Sequence, residues 1–362
     1  MKFYKETEPR KIPKDWKIER LAHLVKYVKG KKPKKLYKDK INADYLPYLT
    51  AGYMRGLEEP KWCDPKENPD IIRVHVDDVI MIWDGSYAGH VFTGFEGALA
   101  STMVKIIPTK DLDKKFLYYY LTMNFQKFRT TTVGTGIPHV NKKIFEEFPI
   151  PLPPSDEQRR IAKVLSTVDN VIEDVDKAVA RLEGLKRALM SELLTGRIRV
   201  KEENGKIIFY RETEFQETEI GKIPREWRVV SIKDSFELYR GTTPSTKNNK
   251  YWGGSVPFVT PTDITAINDL NKIYLTKTEK YLTKEGVQSR NLCIIPAGSL
   301  LFTSRATIGY LAINSVEVTI NQGVIALIPK RNDVNVLFYY YYLTNIKGRF
   351  EELSGGSTYK EI

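Results

Sequence analysis

Ile12-Pro13-Lys14-Asp15-Trp16 returns as Ile223-Pro224-Arg225-Glu226-Trp227 about 210 positions later, and an internal repeat of this kind decides the fold before any single element is read. Working outward, Lys29-Gly30-Lys31-Lys32-Pro33 returns as Arg240-Gly241-Thr242-Thr243-Pro244, and Leu46-Pro47-Tyr48-Leu49-Thr50 as Val256-Pro257-Phe258-Val259-Thr260. Val79-Ile80-Met81-Ile82 aligns with Ser299-Leu300-Leu301-Phe302, Gly89 with Gly309, and Ile106-Ile107-Pro108 with Leu327-Ile328-Pro329. The tract Phe116-Leu117-Tyr118-Tyr119-Tyr120-Leu121-Thr122 aligns with Phe338-Tyr339-Tyr340-Tyr341-Tyr342-Leu343-Thr344. Seven blocks in one order are far beyond chance, so the chain holds two copies of one domain.

Each copy reads as short apolar strands punctuated by Gly and Pro, followed by one amphipathic helix. Strands are expected at 71–76, 79–83 and 102–107, with counterparts at 291–295, 300–303 and 323–328. A helix is expected at 113–124, its tyrosines serving core and interface packing. Between the copies the pattern changes. Pro149-Ile150-Pro151-Leu152-Pro153-Pro154 cannot be helical; Ser155 then offers an N-cap, with Gln158 as its capping-box partner. Ile161, Val168, Val175, Leu182 and Leu189 follow at strict seven-residue spacing. Gly196 is the expected C-cap, with Arg187 and Arg197 near the negative helix end. The pattern predicts one helix of about 40 residues, about 60 Å long, whose narrow apolar stripe is that of a coiled-coil seam. The fold class is therefore α/β (mixed α+β): two similar domains, 1–153 and 201–362, joined by a long coiled-coil-type helix within 154–200.

Composition bounds the function. The 362 residues carry 57 Lys plus Arg against 45 Asp plus Glu, a net charge of +12. Mean hydropathy is −0.38, and no apolar run approaches the roughly 18 residues a membrane span requires. Lys2, Lys5 and Glu6 open the chain where a signal peptide would need an apolar core, so a cytoplasmic location is expected. Cys63 and Cys293 are too few for a disulfide scaffold. An anionic partner is implied, with nucleic acid the default.

Catalytic motifs are lacking. Gly134-Thr135-Gly136, followed by Ile137-Pro138-His139, has neither the third glycine of a dinucleotide loop nor the Gly-Lys-Ser/Thr of a phosphate loop. His23, His75, His90 and His139 are scattered without metal-ligand spacing. His75-Val76-Asp77-Asp78, with Asp84 shortly after, reads either as a cation site or, more simply, as a turn. No nucleophile elbow is present, and Pro153-Pro154-Ser155 lacks the flanking residues of an amino-methyltransferase motif. No catalytic or metal-binding residue is assigned; the chain reads as a binder.

Candidate DNA contacts fall in paired loops. Lys29, Lys31, Lys32, Lys34 and Lys35 form the densest basic tract, suited to phosphate neutralisation or to a solvated loop. Its counterpart, with Arg240, Thr242, Thr243 and Lys247, is far less basic. Asp84, Ser86 and Tyr87 align with a loop carrying Ser304 and Arg305; arginine pairs bidentately with guanine, the alternative being a surface ion pair. Asn321-Gln322 stands where the first copy has Ala100-Ser101 and suits adenine or a backbone tie.

These features together resemble the specificity (S) subunit of type I restriction-modification systems. The resemblance rests on the two Ile-Pro-x-Asp/Glu-Trp entries, Arg240-Gly241-Thr242-Thr243-Pro244, Tyr251-Trp252-Gly253-Gly254 and Asp84-Gly85-Ser86-Tyr87-Ala88-Gly89. Most specific is Ile150-Pro151-Leu152-Pro153-Pro154-Ser155-Asp156-Glu157-Gln158-Arg159-Arg160-Ile161-Ala162, running on to Leu193-Leu194-Thr195-Gly196-Arg197. It implies two target-recognition domains, each reading half of a bipartite double-stranded DNA site, and a central helix that docks methyltransferase (M) subunits. It implies no cofactor in this chain: S-adenosylmethionine belongs to the M subunit, and ATP and magnesium to the restriction (R) subunit, which joins through the complex. Family members carry a second helix after the second domain. This sequence stops at Gly355-Gly356-Ser357-Thr358-Tyr359-Lys360-Glu361-Ile362, the counterpart of about Ile144, so that distal region is expected to be lacking and a homodimer through the central helix becomes an expectation. The competing functions are an autonomous restriction endonuclease with fused recognition and an RNA-binding scaffold.

Overall fold

In the computed structural model, residues 4–5, 12–134, 136–305 and 307–353 are described. The chain divides into two compact units, Met1–Lys177 and Ala178–Ile362. The boundary falls inside the long helix Ser155–Leu193.

The first unit is built on a four-stranded antiparallel sheet. Its order is Val25–Lys29, Met103–Pro108, Val79–Ile82, Val91–Phe92. A second sheet runs Lys61–Cys63, Leu46–Leu49, Gly97–Leu99, Arg73–Val74, with Gly97–Leu99 parallel to Leu46–Leu49. Strand Val79–Ile82 is buried throughout because alternate side chains enter different cores. Val79 and Met81 join Val104, Ile106, Phe116 and Leu117, whereas Ile80 and Ile82 join Leu49, Leu99 and Met103. Hence the unbroken apolar run Val-Ile-Met-Ile in sequence. Pro149–Leu152 pairs antiparallel with Lys17–Arg20 and so returns the chain to the beginning of the unit.

The second unit repeats this arrangement. Its main sheet runs Phe236–Arg240, Val324–Pro329, Leu300–Thr303, Leu311–Asn314, with Tyr274–Leu275 added at the edge. A companion sheet carries Trp252–Val259 parallel to Thr319–Ile320. Register is conserved between the units: Lys29 lies opposite Val104 and Arg240 opposite Ile325; Ile82 lies opposite Met103 and Thr303 opposite Val324. This register corrects one alignment. Val79-Ile80-Met81-Ile82 corresponds to Leu300-Leu301-Phe302-Thr303, one residue later than sequence matching places it. The helices Lys114–Met123 and Val336–Asn345 are also equivalent, N-capped by Asp113 and Asn335. Residues 354–362, the last part of the expected equivalence, lie outside the described residues.

Three elements differ from expectation. Of residues 71–76 only Arg73–Val74 is strand. Residues 291–295 form no strand: Asn291 turns the chain at φ +49°, and only Ile295 bridges, to Val318. Gln158 forms no capping box with Ser155. The opening amides of Glu157 and Gln158 donate instead to the Pro154 carbonyl at 2.8 and 3.0 Å, which releases the Gln158 side chain for other work. No helix among the described residues is long and apolar enough to cross a membrane.

Candidate nucleic-acid interface

Each unit presents two loops held by the same backbone devices. Gly30 donates its N–H to the Met103 carbonyl at 2.9 Å, and a Cβ there would lie 2.2 Å from the Ala100 oxygen. A Cβ on Gly241 would lie 2.1 Å from the Ile320 oxygen. Glycine recurs because both chains pass directly over carbonyls. Pro33 and Pro244 are buried beyond them, and there the loops diverge. Lys31, Lys32, Lys34 and Lys35 are exposed, on a backbone fixed by Lys31 N–H to the Leu99 carbonyl (3.1 Å) and by Lys34 N–H to buried Asn68 Oδ1 (2.7 Å). In the second unit the Thr243 hydroxyl donates to Gln322, and Trp252 Nε1 donates to the Ser245 carbonyl at 3.1 Å. Thr242 is half-buried; Arg240 and Lys247 are exposed.

The second pair of loops closes on its strand identically. Gly89 N–H reaches the Ile82 carbonyl at 2.8 Å, and Gly309 N–H reaches that of Thr303 at 2.9 Å, each glycine at positive φ. Six residues (83–88) fill the first loop and five (304–308) the second. Asp84 is engaged: its carboxylate accepts from Lys29 Nζ at 2.7 Å and lies 2.7 Å from His139 Nδ1. Lys29 and Asp84 therefore balance each other, and Asp84 ties the loop to His139, which exchanges backbone bonds with Val133. Ser86 and Tyr87 are exposed, and the Arg55 guanidinium stacks 3.5 Å over the Tyr87 ring. In the second unit Arg305 is exposed. Ser304 is only 3% exposed, so the structure withdraws its hydroxyl from any ligand. Asn321 Oδ1 accepts the Gly323 N–H at 3.0 Å, a backbone tie; Gln322 stays exposed.

His75 to Asp78 form a turn. Asp78 accepts the His75 N–H at 2.9 Å and pairs with Lys105 at 2.6 Å, while Asp77 pairs with Lys114 at 2.6 Å. Burial pushes the Asp78 carboxyl up, but the bonds from Lys105, His75 N–H and Lys114 prevail and hold it below the usual aspartate range. Cys63 is fully buried, and burial together with the Asp64 charge pushes its thiol up to about 11.

The long helix is fastened at its ends. Gln158, 1% exposed, accepts from Asp113 N–H (2.9 Å) and donates to the carbonyls of Asp111 (3.0 Å) and Pro153 (2.9 Å). Trp16 Nε1 donates to Glu157 at 3.2 Å. At the other end Gly196 takes φ +72°, and a Cβ there would lie 2.3 Å from the Pro224 ring. Arg197 donates to the Ser191 carbonyl at 3.3 Å, whereas Arg187 lies before the last turn. Between the ends the seam is bare: Ile161 is half-buried, but Val168, Val175, Leu182 and Leu189 are 52, 54, 65 and 39% exposed.

Sequence reading passed over Arg55 and Asn68, and weighed His139 only as a metal ligand. Each reaches its loop from another part of the chain, and neither period nor spacing links them to it.

A family model described as the type I restriction modification DNA specificity domain matches residues 13–183 and 224–362. The MjaVIII type I restriction enzyme specificity subunit of Methanocaldococcus jannaschii is 38% identical over 247 residues, covering 67% of this chain and 55% of that protein. The MjaIX specificity subunit of the same organism is 44% identical over 155 residues, covering 42% of this chain and 35% of that protein. This chain thus spans about half or less of the length of these two relatives. The EcoR124I/EcoR124II specificity subunit of Escherichia coli is 26% identical over 93% of this chain and 77% of its own. The solved type I restriction-modification S subunit from M. genitalium shares the fold, with a TM-score of 0.56 at 14% identity over 93% of this chain and 79% of that one.

Proposed function

This chain belongs to the type I restriction-modification DNA specificity family, and from that premise we propose that it is a non-catalytic recognition subunit whose two units each read one half of a bipartite duplex target. The observation that carries this reading is the doubled loop frame. Gly30 and Gly241, and Gly89 and Gly309, are fixed by the same backbone bonds, yet the frame presents lysines and Tyr87 in one unit and threonines and Arg305 in the other. One scaffold with two different side-chain sets suits two different half-sites. Recognition is this chain's part. Adenine methylation with S-adenosylmethionine belongs to an M subunit, and ATP- and magnesium-dependent cleavage belongs to an R subunit that joins through the complex.

The bare helix seam is the docking surface for the M subunit, and two isolated copies of this chain pair through it. Single-molecule methylation mapping in cells that express this chain with its M subunit tests the reading: methylated adenines should lie in a motif of two defined halves separated by an unspecified spacer. One continuous motif, or methylation independent of sequence, would overturn it.

A further inference from the structure

We propose that Arg55 is the guanine-reading residue of the first unit, and that Tyr87 is the ring that positions it. This rests on the reading of the chain as a duplex-recognition subunit and names a specificity determinant within it.

Arg55 follows the short helix Ala51–Met54, capped by Thr50, and is half-buried. Its guanidinium lies 3.5 Å from the centroid of the Tyr87 ring. Tyr87 is itself supported: its carbonyl is 2.9 Å from His90 Nδ1, its ring meets His90 edge-on at 5.7 Å, and His90 rests on Phe125 at 4.8 Å. The guanidinium is thereby seated over a supported ring at a loop surface. Among the described residues the Arg55 guanidinium forms no ion pair and donates no hydrogen bond, although it carries five N–H donors.

A planar fork seated over a ring and lacking an acceptor is prepared for a bidentate, coplanar acceptor pair. The O6 and N7 of guanine in the major groove are such a pair. A phosphate would need only a point charge, which the exposed lysines 31, 32, 34 and 35 supply in the same unit's loop frame. The second unit lacks the arrangement: Thr265 and Thr307 stand at the corresponding positions, and its arginine, Arg305, is carried on the loop itself. The two units thus present an arginine from different elements, as two unlike half-sites require.

The test is selection of a randomised duplex library by the full chain, followed by sequencing of the retained DNA. Wild-type chain should enrich a bipartite motif with guanine at a position where Arg55→Lys, which keeps the charge but removes the fork, loses about 5- to 150-fold preference. Every other position should be retained. Tyr87→Ala should relax the same position, and Tyr87→Phe, which keeps the ring, should restore it. A motif unchanged in Arg55→Lys, or a loss of affinity spread evenly over all sequences as for a phosphate anchor, would overturn the proposal. Should Arg55→Lys fail to fold, the Tyr87 pair decides alone. A wild-type chain that enriches no motif would instead overturn the recognition reading itself.

Discussion

Gly30 and Gly241 show how a single residue type becomes obligatory without any unusual dihedral angle. A methyl group at either position would sit about 2 Å from a carbonyl oxygen, and backbone cannot yield as a flexible side chain would. Gly30→Ala and Gly241→Ala should each cost about 3 kcal/mol or more, read as a lowered urea midpoint, whereas Gly136→Ala, with open space around its Cβ position, should be close to neutral. Asp78 makes a pH-dependent contribution. Its folded-state pKa lies below the ordinary 3.8, so the stability it confers is fully present above that value and is lost as pH falls through the lower, folded-state value. Asp78→Asn should cost about 3 kcal/mol near neutrality and flatten the acid limb of the stability profile; an acid limb identical to wild type would show that the Lys105 pair contributes nothing. At this scale the sequence was only partly legible. The Asp77-Asp78 turn could be read from two acidic residues ahead of an apolar strand. The lysines that hold it could not, since Lys105 and Lys114 arrive from a later strand and helix.

Among the elements, the central helix was the most legible and its anchoring the least. Seven-residue spacing and the flanking Pro and Gly located it: about 40 residues were expected and 39 are observed. Gln158 carried a local capping signature, but the Pro154 carbonyl takes the opening amides and the glutamine side chain joins the helix to Asp111 and Asp113 instead. Local capping rules do not foresee tertiary partners for the glutamine side chain. The exposed seam has an energetic consequence. About ten apolar side chains at about 1.5 kcal/mol each represent roughly 15 kcal/mol of burial still to be gained, comparable to the stability of a whole domain. Charge would favour one geometry for the proposed pairing: Asp169 and Glu173 precede the midpoint, residue 174, and Arg181, Lys186 and Arg187 follow it, so two copies packed antiparallel would bring acid towards base. Val168→Asp combined with Val175→Asp should convert a dimer to a monomer in sedimentation and abolish M-subunit binding. Wild-type chain sedimenting as a monomer at micromolar concentration would refute the self-pairing.

For the molecule as a whole, the duplicated topology followed from the repeat because matched blocks fell on strands whose register is conserved. The difference between copies resides in side chains carried on that common frame: Lys31 and Lys32 in one unit stand where Thr242 and Thr243 stand in the other. That difference divides labour. Under the proposed function the lysine loop of the first unit supplies sequence-independent affinity, so replacing Lys31, Lys32, Lys34 and Lys35 with Ala should weaken binding to every duplex. The slope of log affinity against log salt should fall by about 0.9 for each phosphate no longer neutralised. Arg305→Ala should act differently, costing about 1–3 kcal/mol of discrimination in the other half-site; base preferences left intact there would assign Arg305 to a surface ion pair.

The boundary between the units falls between Lys177 and Ala178, in a stretch of helix where Val175, Val179 and Leu182 are exposed. Most helices fray from their termini. This one is pinned at Gln158 and at Gly196; between them Tyr119 Oη donates to Asp169 at 2.5 Å and Lys186 Nζ lies over the Tyr341 ring, while the apolar seam stays exposed. Its weakest point is therefore its centre. In the monomeric Val168→Asp, Val175→Asp chain, hydrogen–deuterium exchange should be fastest around residues 168–182 and slowest towards the two ends. Pairing should then reverse that order, so that protection of the mid-helix amides directly reports whether a partner helix has docked.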